Sequence, residues 1–316
     1  MFGTKEAEMT EKTSPNFFSS LLSGFSELRK RVNNPNPGTF DSLHREVKNT
    51  FLTNHLFDGA RADLTKILSP NFQVTHSFSL GSVVAPPQYN FGSIFLGTNS
   101  LLQGTVDNDG NVTARVNYAW NQKNTTKIQA QISGQPGHSM LQVEHDHLGS
   151  DYSVSLKAVN PSPAESTGIY LLSYLQSITP RLALGVETVY QRPTSEVEET
   201  LTSVVAKYTG DNCVATVQAQ GMGALHASYY HKLGEKVDVG TEIQLLSAGG
   251  RRDGVTTFGA LYQFRQSSVR AQIDTTGRVS AVIEERMAPG FSFLVSGDLD
   301  HVKGNAKFGV GIMIEA

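Results

Sequence analysis

From near Gly59 to the C-terminus, apolar and polar residues alternate over stretches of about ten residues, and short turns separate one stretch from the next. Val112, Ala114, Val116, Tyr118 and Trp120 alternate with Asn111, Thr113, Arg115 and Asn117; Tyr152, Val154, Leu156 and Ala158 alternate with Ser153, Ser155 and Lys157. A period of two puts the two sets on opposite faces of a strand. About ten residues, tilted, is the length of a strand that crosses a bilayer in a barrel wall. A soluble sandwich shows the same alternation with the opposite sense of burial, so alternation alone does not decide. Strand number does: nineteen such stretches, joined by short turns, exceed what one soluble core usually holds and fit an up-and-down membrane barrel with a wet interior.

Composition agrees. Hydrophobic residues make up 39% of the 316-residue chain and the mean hydropathy is −0.24. The run of about 20 apolar residues that a spanning helix needs is absent from the sequence. Charged residues are 17%, below the roughly 25% of ordinary soluble domains, and glycine and uncharged polar residues fill the gap. A net charge of −3, with no basic cluster larger than Arg29-Lys30-Arg31, argues against a nucleic-acid partner. The single cysteine, Cys213, rules out an internal disulfide and reads as an apolar-face residue beside Ala215 and Val217. The opening MFGTKEAEMTEK lacks the basic-then-apolar layout of a secretory signal, which points to a eukaryotic organelle barrel made in the cytosol.

The chain divides into a segment over residues 1–58 and a barrel over 59–316. Residues 1–14 are polar and expected to be disordered. Phe18, Leu21, Leu22, Phe25 and Leu28 follow helical spacing up to the breaker Asn33-Asn34-Pro35-Asn36-Pro37-Gly38. A second helix reads from about Asp41, a plausible N-cap, with Phe40, Leu43, Val47 and Phe51 on one stripe. Such a stripe packs against a neighbour, and a barrel wall is one candidate for that neighbour. Nineteen strands leave the two ends of the barrel on opposite sides of the membrane and close it through parallel first and last strands. A helix over about residues 41–56, roughly 24 Å long, running back through the lumen would return the N-terminus to the C-terminal side. Turns such as Asp107-Asn108-Asp109-Gly110 and Ala288-Pro289-Gly290 are short; connections near Asn160–Ser166 and Arg192–Glu199 look long.

Charges within the strands fall on the polar faces, with Lys66 and Glu285 as exceptions near strand ends. A lysine or arginine facing lipid at mid-depth costs about 2–4 kcal/mol. Candidate chemical motifs dissolve on inspection. In Glu144-His145-Asp146-His147 a strand turns the carboxylates one way and the imidazoles the other, so the four do not close on one ion. Asp107–Gly110 lacks the distal glutamate of a calcium loop, and Ala248-Gly249-Gly250-Arg251-Arg252 lacks the Lys-Ser/Thr and the helix of a phosphate loop. His226, Ser228 and Tyr230 share a face but have no carboxylate orienter nearby in sequence. Neither an enzyme nor a cofactor is indicated.

Several stretches, FDGARADLTKILSPNFQVTHSFSLG, VDNDGNVTARV, YLQSITPRLALGVETVY, ASYYHKLGEKVDVG and the ending KFGVGIMIEA, resemble the channel-forming subunit of the translocase of the outer mitochondrial membrane, the TOM complex. They cover roughly residues 39–316. The resemblance implies a nineteen-stranded barrel of the mitochondrial porin type in that membrane, a helical segment inside it, and passage of unfolded precursors. It implies as partners mitochondrial precursors with their presequences, the single-span receptor and small subunits of the complex, the sorting and assembly machinery, membrane lipid, and further copies of the barrel. The C-terminal side is then the intermembrane space. Lys307, Gly309, Ile312 and Ile314 fit the sorting signal of mitochondrial barrels: a polar residue, a glycine, then two spaced hydrophobics. Glu144, Asp146, Glu187, Asp238, Glu242 and Glu284 are the candidate lumen acids for holding basic presequences weakly, unless they only offset Arg115, Lys127, Lys157, Lys207 and Arg270. The alternatives are a metabolite-conducting mitochondrial porin and, further off, a soluble β-rich binding protein.

Overall fold

A computed structural model describes residues 34–316 apart from 54, 83–85, 135–136, 138, 163–166, 195–196 and 249–250. The polar start and the first helix expected over Phe18–Leu28 lie outside the described residues. Nineteen strands form one sheet, β1 (Gly59–Ser69) through β19 (Asn305–Glu315). Each strand pairs antiparallel with its neighbour in the chain, and the ends meet in one parallel seam running from Gly59 opposite Gly309 to Thr65 opposite Glu315. Closure leaves no free edge to recruit another chain.

Burial decides between membrane barrel and soluble sandwich. On β11 (Val197–Thr209) Val204 is 57% exposed and its neighbour Ser203 only 2%. Leu172, Phe258 and Ile273 are exposed to half or more, whereas Ser153, Ser173, Thr216, Ser228 and Ser296 are buried. A soluble domain has the reverse pattern. Apolar side chains that point outward and polar ones that point inward suit a wall facing hydrocarbon.

The turns behave as their chemistry requires. Asp107 Oδ1 accepts the amides of Asp109 and Asn111, and Gly110 takes φ +78, which closes a hairpin. The expected long connection near Arg192–Glu199 is a correction: β10 (Leu182–Thr194) and β11 pair almost to their tips, with Thr194 opposite Val197. Polar residues continue the ladder there because backbone pairing does not depend on an apolar side chain. The widest gap instead separates β2 (Phe72–Ser79) from β3 (Gln88–Leu96).

The second helix is also shorter than its stripe predicts. Phe40–Ser42 form a 3-10 turn that contains Asp41, and α1 covers only Arg45–Thr50, entered through His44 without a side-chain cap. Six residues rise about 9 Å, so the helix alone does not span the wall. Two features stop it. Thr50 Oγ1 bonds back to the Glu46 carbonyl at 3.0 Å, a contact that weakens helix propagation, and the Leu52 amide donates to Gln272 Oε1 at 3.1 Å rather than continuing the helix.

Candidate functional site

Connections after odd-numbered strands share one rim with the C-terminus. The segment of residues 34–58 starts at that rim. Asn34 Nδ2 donates to the Ser177 carbonyl, Ser177 Oγ donates to the Pro35 carbonyl, and Asn36 Nδ2 donates to the carbonyls of Gly149 and Tyr152. These partners flank the connections after β7 (Met140–Leu148) and β9 (Thr167–Ser177). From there the segment follows the inner wall, fastened by side chains on the polar faces of the strands. Ser153 Oγ donates to the Gly38 carbonyl at 2.6 Å, Lys207 Nζ to that of Pro37 at 3.2 Å and Thr216 Oγ1 to that of Leu43 at 3.2 Å. The Phe57 amide donates to Ser296 Oγ at 3.3 Å, on β18 (Phe291–Asp300), just before β1 begins. Backbone without a ladder needs partners when buried, and the wall supplies them as three hydroxyl side chains and the Lys207 ammonium.

The helical stripe provides the adhesion. Phe40, Leu43, Val47 and Phe51 are all buried, as is Leu52. Phe40 and Leu43 join Leu175, Ala183 and Val205, apolar residues that interrupt the polar inner face. Phe51 seats where the wall carries Gly240 and Gly259; a Cβ at Gly259 would fall 2.4 Å from its ring. Burying one such side chain contributes about 1.5–3 kcal/mol. Val47 Cγ1 lies 3.4 Å from where a Gly240 Cβ would stand, so the V47C/G240C pair is expected to form a disulfide under mild oxidation in the assembled protein. Modification of Val47→Cys by a bulky thiol reagent from the opposite rim alone would contradict this placement.

His44 secures the middle of the segment. Its ring stacks on His226 at 4.0 Å and its Nδ1 meets Ser228 Oγ at 2.7 Å.

The candidate acids face the lumen but are not bare charges. Glu144 and Asp146 are buried and both sit 2.7 Å from Lys127 Nζ. The histidines that alternate with them turn away, His145 to Thr126 and His147 to Asn124. Glu187 accepts from Ser173 Oγ at 3.2 Å, and Glu242 meets His226 Nε2 at 2.5 Å and Gln244 Nε2 at 2.8 Å. Asp238 lies opposite Lys232 in the ladder, and Glu284 meets Ser268 Oγ at 3.4 Å. Asp41, which the sequence reading placed only as a cap, joins Glu144 on the wall of one cavity with Arg115 and Lys127.

The candidate assembly residues split by face. Lys307 stands opposite Asp298, a carboxylate that also receives both ends of the Arg278 guanidinium at 2.7 and 2.6 Å. Gly309 is buried beneath Phe57, while Ile312 and Ile314 point outward at the seam opposite Ala62 and Leu64. Phe57, Ser296 and the Arg278–Asp298 pair escaped the sequence reading. Only the spacing of Gly309 and Gly311 on one face hinted that something must lie against it.

The eukaryotic porin family profile matches residues 36–309. The mitochondrial import receptor subunit tom40 of Neurospora crassa is 42% identical over 94% of this chain and 88% of its own. The subunit TOM40 of Saccharomyces cerevisiae is 38% identical over 95% and 86%, and the human TOM40 homolog is 32% identical over 99% and 87%. The chain belongs to the eukaryotic porin family, together with these mitochondrial import receptor subunits.

Proposed function

We propose that this chain is the polypeptide-conducting pore of the TOM translocase, passing unfolded precursors across the mitochondrial outer membrane. One observation carries the reading beyond the fold. The inner segment bonds to the wall from β8 (Tyr152–Ser162) round to β18, whereas β2 to β6 (Asn124–Ile132) contain no buried residue. Among the described residues the inner segment therefore packs on one side of the lumen, and on the other side it reaches the wall only where Asp41 approaches Arg115 and Lys127. An extended chain fits such a channel, and the relatives named as import receptor subunits favour precursors over metabolites as cargo. The receptor and small subunits, the sorting machinery and a second barrel belong to the same proposal.

Basic amphipathic presequences would meet Glu187 and Glu242 through water, and Glu144 and Asp146 only in exchange for Lys127; one charge pair at contact in water contributes only about 1 kcal/mol. Neutralising one acid should change little. The combined variant E144Q/D146N/E187Q/E242Q should slow import of presequence proteins more than import of carriers without presequences, and the difference should shrink as salt rises. Equal slowing of both cargo classes would mean barrel damage. Unchanged import would mean that these acids serve only their partners in the wall.

A further inference from the structure

The rim that carries the C-terminus holds a second charged feature of opposite sign. Arg265, Arg270 and Arg286 line a cavity of about 350 Å³ in which Glu284 is the single carboxylate. Ser268, Arg270 and Glu284 lie on the same inner face as Gln272, which holds the Leu52 amide, so the cavity opens into the lumen. Elsewhere Arg61, Arg181, Arg192 and Arg278 each have a carboxylate within 4 Å. Among the described residues these three have none, and the buried Nε of Arg270 has no hydrogen-bond partner. Charges grouped this way repel each other unless an anion joins them.

We propose that this cavity binds an acidic stretch of extended polypeptide at the exit of the pore, an inference that rests on the conduit reading above. Spacing favours a peptide over a small anion. The Arg286 amide donates to the Gln266 carbonyl, which puts Arg286 beside Gln266, four residues along the strand from Arg270. At about 3.3 Å per residue the backbone positions that carry the two guanidinium groups stand roughly 13 Å apart. One phosphate or carboxylate does not bridge that span; two carboxylates four residues apart on an extended chain do. Guanidinium forks are suited to gripping each carboxylate through paired hydrogen bonds.

The test uses the full-length protein in planar bilayers, with a capped nonapeptide carrying glutamates four residues apart added on the C-terminal-rim side. It should block current, and R270Q/R286Q should weaken that block at least tenfold, while R270K/R286K should retain much of it. Block by a basic amphipathic peptide from the opposite side should be the same in all three proteins, which also shows that the glutamine variant is folded. Equal block by adjacent glutamates, equal competition by inorganic phosphate, or no change in R270Q/R286Q would overturn the proposal. If the basic peptide failed to block even the unaltered protein, the conduit reading would fail separately, because the acidic peptide is scored on its own side.

Discussion

Alanine at Gly311 is expected to be rescued by trimming Phe57, and alanine at Gly309 is not. Both glycines face the lumen on β19 beneath Phe57, the residue that leads the chain into β1. A Cβ at Gly311 would lie 3.0 Å from the tip of the Phe57 ring, whereas one at Gly309 would lie 2.5 Å from the Phe57 backbone carbonyl and 2.7 Å from the ring. Phe57→Leu withdraws the ring but leaves the carbonyl in place. Forcing an extra methyl into a packed contact typically costs about 1–3 kcal/mol, and here the cost falls on the parallel seam that closes the barrel. G311A should therefore lower the yield of heat-resistant barrel on semi-native gels, G311A/F57L should restore it, and G309A/F57L should stay low. The sorting-signal reading of Gly309 makes a different forecast. A residue read only by assembly machinery would stall insertion in mitochondria while G309A refolded normally in detergent. Normal refolding of G309A would remove the packing explanation.

This contact shows where sequence reading stops. The alternation of Val112 to Trp120 was enough for strands and their two faces, because a period of two is a local property that every strand repeats; that the apolar face meets lipid followed from the number of strands. The odd strand count was enough for the parallel seam, because closing an odd meander leaves no other choice. The stripe of Phe40, Leu43, Val47 and Phe51 was legible as a buried face, but the length of its helix was not. One of the two contacts that end that helix comes from Gln272, over two hundred residues away. The acids were legible as lumen residues because Glu144 and Asp146 share the polar face. Lys127 was legible as one of five bases set against them, but the pairing itself was not, since register across strands decides that Lys127 meets both. Phe57 was the hardest case: one aromatic residue before a strand carries no periodic signal, and its counterpart is a pair of glycines at the far end of the chain.

Lys127→Met is expected to destabilise the barrel most among single lumen substitutions, and removing both of its partners should recover much of the loss. The ammonium lies 2.7 Å from Glu144 and 2.7 Å from Asp146, with the carboxylate side chains only 5% and 3% exposed. Buried charges are tolerated when paired; taking away one partner leaves the others uncompensated and commonly costs about 3–5 kcal/mol. Here one lysine serves two acids, so its loss strands two negative charges side by side. Water in the lumen softens the penalty, which places the expected effect toward the lower end of that range. K127M/E144Q/D146N replaces the whole group by neutral side chains of similar size and should refold with a urea midpoint near that of the unaltered protein. K127M alone should unfold at clearly lower urea, followed by the fluorescence of Trp120, the only tryptophan, on the neighbouring β5 (Val112–Asn121). The same variant should conduct cations more selectively, because two carboxylates then face the lumen without their lysine. Equal midpoints for K127M and the triple variant would mean that the carboxylates are solvated from the pore and need no lysine, which would return both to the pool of acids free to meet a passing presequence.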